Sequence, residues 1–321
     1  SITLYDRNSN PHINLEGNNI YFNPGSGGIK VWDSDLNVIR EPSTQDHISY
    51  TKLVDALGNI DQLSGGIIPA DVPKEITGQY RVFLCLKYST KSIFAGTFNK
   101  DGLQVEKDLL VAIRGSEKAA REKPMLTIAA CPSPPLKWSD LTCHDLIRGA
   151  QNWIPVVLIS MPLTGSTAPI TIGGSLVQHT AESLSGVVIG QLASQGSPIV
   201  WGGSPAAFDM RFGTTPMGAI ETMMIDMAYN EIGKYLGIPT EAFIGIGDSK
   251  RPDSQAGLET GIGTVLGALA GINLITGAGL MNFETTQCLD KLVIDNEICG
   301  MARRLVQGIT PRGERLAEDL F

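Results

Sequence analysis

The sequence predicts an α/β protein, a (β/α)8 TIM barrel, and three observations carry that expectation. Eight short apolar runs alternate with eight helical patterns along the 321 residues. Strands that alternate with helices pair in parallel through right-handed crossovers, and eight such units close on themselves. No GxGxxG follows the first run, which sets the closed barrel ahead of an open doubly wound sheet. Linkers and low-complexity segments are absent, so residues 1–321 read as a single barrel domain.

In chain order, the first run is Asn19 to Phe22, followed by NPGSGG and a helix near Thr44 to Leu57 with Ser43 as its N-cap. The second is Gln62 to Ile68, stopped by Pro69, with a helix from Lys74 to Tyr88. The third is Ser92 to Phe98, with a helix from Leu103 to Glu117. The fourth is Met125 to Ala130, then CPSPP, then a helix capped by Ser139 and running to Trp153. The fifth, Ile154 to Met161, is the clearest buried strand, and its long helix spans about Ile172 to Ser194. The sixth is Pro198 to Trp201, then a long loop, GGSPAAFDMRFGT, and a helix from Met217 to Leu236. The seventh is Ala242 to Ile246, then a polar loop, with Pro252 and Asp253 opening a helix to Ala270. The eighth is Asn273 to Thr276, then GAGLMNFE and a helix from Leu289 to Gln307.

Composition narrows the function classes. A formal charge of −8 argues against nucleic acid or an anionic membrane surface as partner. No apolar run approaches the roughly 20 residues that span a bilayer. The five cysteines form no CxxC pair, which fits thiols used as small hydrophobes in a reduced, cytoplasmic protein. The chain opens on the polar stretch Ser1 to Asn10, without methionine or signal peptide, so it is expected to be part of a longer protein. Walker, GxSxG, HExxH and zinc-cysteine signatures are missing, so no metal is expected.

In a barrel the site lies where the strands end. The residues there are small and glycine-rich, among them Gly25, Gly96, Gly202, Gly203, Gly245, Gly247, Gly277 and Gly279. They leave a wide well for a bulky partner, or they serve tight turns; both readings stay open. Asp248, Lys250 and Glu259 are candidates for the polar floor. His179 and Glu182 lie three residues apart on one helix face, as metal ligands or an acid–base pair, or as a buried hydrogen-bonded pair. Phe208 and Asp209, with Tyr21, Phe22, Phe98 and Phe283 near other strand ends, could cage a quaternary ammonium group.

Several segments carry a resemblance: NPGSGGIKVWD, CPSPPLKW, GAQNWIPVVLISMPLTGSTAPITIGGSLVQHTAESLSG, DSKRPDSQAGLE and ALAGINLITGAGLMNFETTQCLDKLVIDNEI. The chain resembles the trimethylamine:corrinoid methyltransferase family over nearly its whole length. The resemblance implies a barrel that moves a methyl group from an amine to the cobalt of a separate corrinoid (cobalamin-type) protein, a one-carbon step of the kind used in methanogenesis. No tightly bound cofactor is implied. The family also has flanking segments at both ends. Its archaeal trimethylamine enzymes carry pyrrolysine two residues before the motif that matches Asp248-Ser249-Lys250, and that position here is Ile246. Members without pyrrolysine are similar to enzymes that demethylate quaternary amines such as glycine betaine, so a betaine-type substrate is expected.

A quaternary ammonium departs as a neutral amine, so no proton need be supplied and the enzyme's task is positioning. On that reading Ile246, Gly245 and Gly247 floor the methyl group, with Asp248, Lys250 and Glu259 beside them. Phe208 with Asp209 or Glu259 holds the cation, and Lys250 or Arg211 pairs with a substrate carboxylate. Gly25, Gly202, Gly203, Gly277 and Gly279 admit the corrin ring. Three alternatives remain: another methylamine as substrate, a barrel lyase or hydrolase using His179 and Glu182, and a non-catalytic betaine-binding protein. The sequence leaves association between copies of the chain open.

Overall fold

The computed structural model describes residues 1–309. Eight parallel strands form its centre: β1 (Tyr21–Asn23), β2 (Leu63–Ser64), β3 (Ile93–Ala95), β4 (Leu126–Ala130), β5 (Val156–Ser160), β6 (Ile199–Gly203), β7 (Glu241–Ala242) and β8 (Leu274–Thr276). Strands β2 to β6 pair in order, and β7 pairs with β8, which pairs with β1. A parallel bridge from Trp201 to Thr240 joins β6 to β7. The amides of Asp61 and Gln62 donate to Phe22 O and join β1 to β2, which closes the barrel.

Outside it lie α1 (Thr44–Ala56), α2 (Thr77–Tyr88), α3 (Gly102–Arg114), α4 (Asp140–Asn152), α5 (Ile172–Ala193), α6 (Ile220–Tyr235), α7 (Ser254–Leu269) and α8 (Leu289–Val306). Ser43 caps α1 with a complete capping box through Asp46, and Ser139 caps α4, both as the sequence predicts.

The strands alternate as pleated strands must. Phe22, Leu63, Ile93, Leu158 and Trp201 face the helices, while Phe94, Val157, Ile159, Val200 and Leu274 belong to a second cluster inside the barrel. A polar belt crosses that interior. Asn23 donates to Gln62, and Gln62 on the approach to β2 donates to Thr127 on β4, skipping β3. Only a bond across the lumen can do that.

Boundaries depart from expectation for identifiable reasons. The second ladder stops at Ser64 because Gly66 turns the chain at φ +37°. Strand β6 continues past Trp201 through Gly202 and Gly203. The seventh ladder covers only Glu241–Ala242, although residues 243–246 are fully buried. Helix α3 ends at Arg114 because Gly115 is left-handed, and Ser116 caps a separate helix, Glu117–Glu122. Two additions escaped the sequence reading. A hairpin, Ile2–Tyr5 with Pro11–Leu15, closes the barrel bottom with Ile2, Leu4, Ile13 and Leu15. At the top, segments Leu280–Met281, Thr286–Gln287, Lys30–Asp33 and Val38–Arg40 form a four-stranded sheet beside β8 and β1.

Candidate active site

At the barrel top, Ala129 of β4 packs against the interior cluster yet remains partly exposed, as do Cys131 above β4 and Gly96 above β3. The interior cluster beneath includes Phe94, Ile159, Phe243 and Ile246, all buried.

Two carboxyls define the electrostatics. Glu241 points into the barrel, 1% exposed. Its Oε1 accepts from Thr276 Oγ1 at 2.7 Å, and its Oε2 has no partner. The Oε2 occupies space that glycine provides: a Cβ on Gly202 would lie 2.6 Å from it. Burial pushes this carboxyl up to about 8, and the charge of Glu284 adds to the rise. Glu284 arrives on an unusual turn, in which Asn282, Phe283 and Glu284 all adopt left-handed backbone at φ 53°, 56° and 67°. That conformation costs roughly 1–2 kcal/mol per residue. It is held by Asn282, whose amide donates to Ser249 O and whose side chain donates to Thr285 and Thr286. The result sets the Glu284 carboxyl against Gly27, within 3.3 Å of Ser204 Oγ. Burial pushes Glu284 up to about 7. Cys131 feels burial first and then both carboxylates, and its thiol rises to about 12, so it is no nucleophile near neutral pH.

The sequence-predicted residues fall into distinct places. Ile246 is fully buried in the lumen cluster, close enough to Gly277 that a Cβ there would lie 2.5 Å from its Cγ1. Gly245 and Gly247 anchor this stretch by donating to Thr276 O and Leu280 O. Asp248 spans two loops: its carboxylate accepts from the amides of Met217 and Gly218 at 2.9 and 2.8 Å. Those bonds hold residues 217–218 outside α6, which therefore starts at Ile220 instead of Met217. Burial, against these two bonds and with Glu259 nearby, pushes Asp248 up to about 6. Glu259 accepts from Asp248 N and Gln255 Nε2. Lys250 is exposed.

Other expectations need correction. The aromatics do not converge. Tyr21 sits at the opposite end of the barrel, its hydroxyl accepting from Asn14 N of the bottom hairpin. Phe98 stacks over Arg81 on the outer side of the rim. The Asp209 carboxylate is engaged by Arg211, whose side chain is exposed, in a local turn beside Phe208. Arg211 thus commits its Nε and Nη2 donors to Asp209. His179 and Glu182 are not a pair. His179 stacks on Tyr229 at 4.1 Å and contacts Gly202 O, and burial pushes it down to about 3. Glu182 instead ties Leu136 N, Gln178 and Ser160 together. Among the described residues no group of three or more His, Cys, Asp or Glu could hold a metal. The five glycines read as corrin contacts make room for the protein's own side chains. Cβ atoms on Gly25, Gly202, Gly203, Gly277 and Gly279 would meet Leu280, Glu241, His179, Ile246 and Gln287 at 2.3–2.7 Å.

Sequence reasoning missed Glu241 and Glu284. Alternation back from Phe243 places Glu241 in the lumen, but starting the strand at Ala242 left it out. Glu284 follows Phe283 directly, and nothing local announces a left-handed turn without glycine.

The eight-stranded closed sheet with its ring of helices defines a (β/α)8 barrel with two carboxyls, Glu241 and Glu284, near its top. Among solved structures it is similar to the monomethylamine methyltransferase MtmB of Methanosarcina barkeri, with a TM-score of 0.60 at 12% identity over 96% of this chain and 62% of that one. It is also similar to a dihydropteroate synthase of Coxiella burnetii, with a TM-score of 0.52 at 15% identity over 95% of this chain and 100% of that one. At such identities the likeness shows the (β/α)8 fold alone.

Residues 1–321 match the family described as Trimethylamine methyltransferase (MTTB), and the chain belongs to it. It is 31% identical to the trimethylamine methyltransferase MttB of Desulfitobacterium hafniense, over 100% of this chain and 65% of that protein. It is 33% identical to MttB of Methanosarcina thermophila, over 94% of this chain and 64% of that protein. To a glycine betaine methyltransferase of D. hafniense it is 28% identical, over 99% of this chain and 67% of that protein. The chain thus spans under two thirds of the MttB relatives' length. No helix among the described residues is long and apolar enough to cross a membrane.

Proposed function

We propose that this protein removes a methyl group from a quaternary amine of the glycine betaine type and passes it to the Co(I) of a corrinoid carried by a separate protein. The observation that carries the reading is the pair Glu241 and Glu284 near the top of a barrel whose apolar interior includes Ile246 and Phe243. A carboxylate beside apolar surface suits a cation ringed by methyl groups, which offers charge but no hydrogen to donate. Ile246, Gly245 and Gly247 form the apolar floor that holds one methyl group in line and excludes water. Glu284 is the group that faces the cation, while Glu241, pushed up to about 8, keeps its proton near neutrality and leaves Glu284 as the charged member of the pair.

A bound corrinoid would supply the Co(I) nucleophile. Gly96, Thr97 and Ser133 at the open side are small enough to leave room for a flat macrocycle above the well. Isoleucine at 246 offers no electrophile, which favours a substrate whose leaving group is already activated. Identity to the MttB proteins, slightly above that to the betaine enzyme, keeps trimethylamine as the second reading. The five free cysteines, three of them buried, are compatible with a reducing cytoplasm.

The test is methyl-Co formation, followed by absorbance, with a Co(I) corrinoid protein and glycine betaine. Turnover that depends on Glu284 is expected. Failure with betaine, related quaternary amines and trimethylamine alike would overturn the proposal.

A further inference from the structure

Helix α5 is apolar on both sides. Leu176, Val187 and Ile189 pack inward on the core, and a Cβ on Gly186 would meet Leu158. A barrel helix with one face buried ordinarily turns charge to solvent on the other. Here the exposed residues are Gly173, Val177, Ala181, Leu184, Val188 and Leu192. Val177 stands 71% exposed and Leu192 83%. The one Asp, Glu, Lys or Arg among the 22 residues of the helix is Glu182, which is buried and bonded to Ser160, Gln178 and Leu136 N.

The stripe has a period as well as a composition. Val177, Ala181, Leu184 and Val188 follow at intervals of four, three and four residues, the a/d rhythm with which one helix packs into another. Polar residues flank it on the neighbouring helices. On one side α4 exposes Asp140, Arg148 and Gln151, and on the other α6 exposes Glu221 and Glu231 beside Met224. An apolar centre with a polar margin is the anatomy of a protein–protein contact.

We propose that this stripe is the contact between two copies of the chain, packed α5 to α5 about a twofold axis. Three points single out a copy as the partner. The seam fits a helix of the same a/d rhythm, and a copy brings one. The chain carries a net charge of −8, so two copies repel except where they meet through a surface without charge. The area also suffices. Helix α5 is about 33 Å long, and with one neighbour on each side at about 10 Å per helix the face covers on the order of 900 Å², against about 800 Å² per partner in a stable interface. The contact lies on the outer ring of helices and requires nothing of the substrate.

The experiment is sedimentation velocity on the full chain up to about 100 μM, a range that detects dimers of even weak micromolar affinity. Wild type, Leu184→Glu, Leu184→Lys and Val105→Glu are compared, each first checked by circular dichroism. Leu184 is 41% exposed in the single chain, so its replacement leaves the fold intact, and Val105, 40% exposed on α3, is the control outside the stripe. Wild type and Val105→Glu are expected to be dimers, with dissociation raised about a hundredfold or more by Leu184→Glu or Leu184→Lys alone. Leu184 lies mid-stripe, where it meets its own counterpart whether the paired helices run parallel or antiparallel. An equimolar mixture of the Leu184→Glu and Leu184→Lys proteins is therefore expected to recover the dimer. Monomeric wild type would overturn the proposal and leave the stripe to a different partner. A dimer that ignores both Leu184 substitutions would place the contact elsewhere, and a mixture that stays monomeric would exclude pairing of the stripe with itself; either result overturns the proposal too.

Discussion

Glu241→Gln should reverse a pH-dependent loss of stability. The Glu241 carboxyl ordinarily titrates near 4.5 and is pushed up to about 8 by burial in the barrel. The folded protein therefore holds a proton that the unfolded chain releases, and stability falls as pH rises from about 4.5 to about 8. At pH 7 the interval above 4.5 is about 2.5 pH units, an upper bound of ~3 kcal/mol at about 1.36 kcal/mol per unit. Glutamine keeps the shape and the bond from Thr276, while its amide nitrogen replaces the unpartnered Oε2 and costs about 1 kcal/mol of that gain. The variant should gain about 1–2 kcal/mol at pH 7 and lose a few tenths of a kcal/mol at pH 5. Thermal melts of both proteins from pH 5 to 8 measure this, as a difference of a few degrees that opens with pH. Glu284 and Asp226 are also pushed up and tilt both curves, so the comparison lies in the gap between the curves, not in either slope. A gap that stays constant across this range would refute the argument that Glu241 is a buried, proton-holding carboxyl.

Gly202→Ala brings a methyl within 2.6 Å of Glu241 and 3.0 Å of Leu158 O, and should cost about 1–3 kcal/mol in denaturant unfolding, less once Glu241 is also shortened to alanine. Glu182→Ala strands the buried Ser160 hydroxyl and the Leu136 amide, and should lower stability by about 2–3 kcal/mol in the same assay. Phe208→Ala and Asp209→Ala should leave amine affinity unchanged by calorimetry, because the Asp209 carboxylate is already taken by Arg211. Amine affinity should rise with pH through about 7 and then level off, since the charged form of Glu284 is the one that holds a cation; a flat profile between pH 6 and 8.5 would count against Glu284 as that group.

The barrel was legible because its signals are local and repeated. Apolar runs, serine caps and glycine stops each act within a few residues, and eight repetitions outweigh an error in any one boundary. Boundaries failed where a tertiary contact decides them. Asp248, thirty residues downstream, fixes where α6 can start, and no local signal near Met217 encodes that bond. The bottom hairpin was passed over because its strands, Ile2–Tyr5 and Pro11–Leu15, read as a polar terminus until the lumen they close is known.

The site was less legible, and the glycines show why. A glycine at a strand end signals missing volume but not which neighbour uses it. At Gly202 it is Glu241, at Gly203 it is His179 and Tyr229, and at Gly65 it is the Arg81 fork. Each of these side chains lies more than 10 residues away in sequence, so the pairing is invisible to spacing arguments. The same logic ranks the charged residues. Those that sequence patterns favour, such as Lys250 and Arg211, stand out because they sit in polar loops, where solvent or a local partner satisfies them. Glu241 is surrounded by apolar sequence, and burial leaves its bonding capacity unfilled. It is this unfilled capacity, not polarity in the loop, that makes a group available to a ligand.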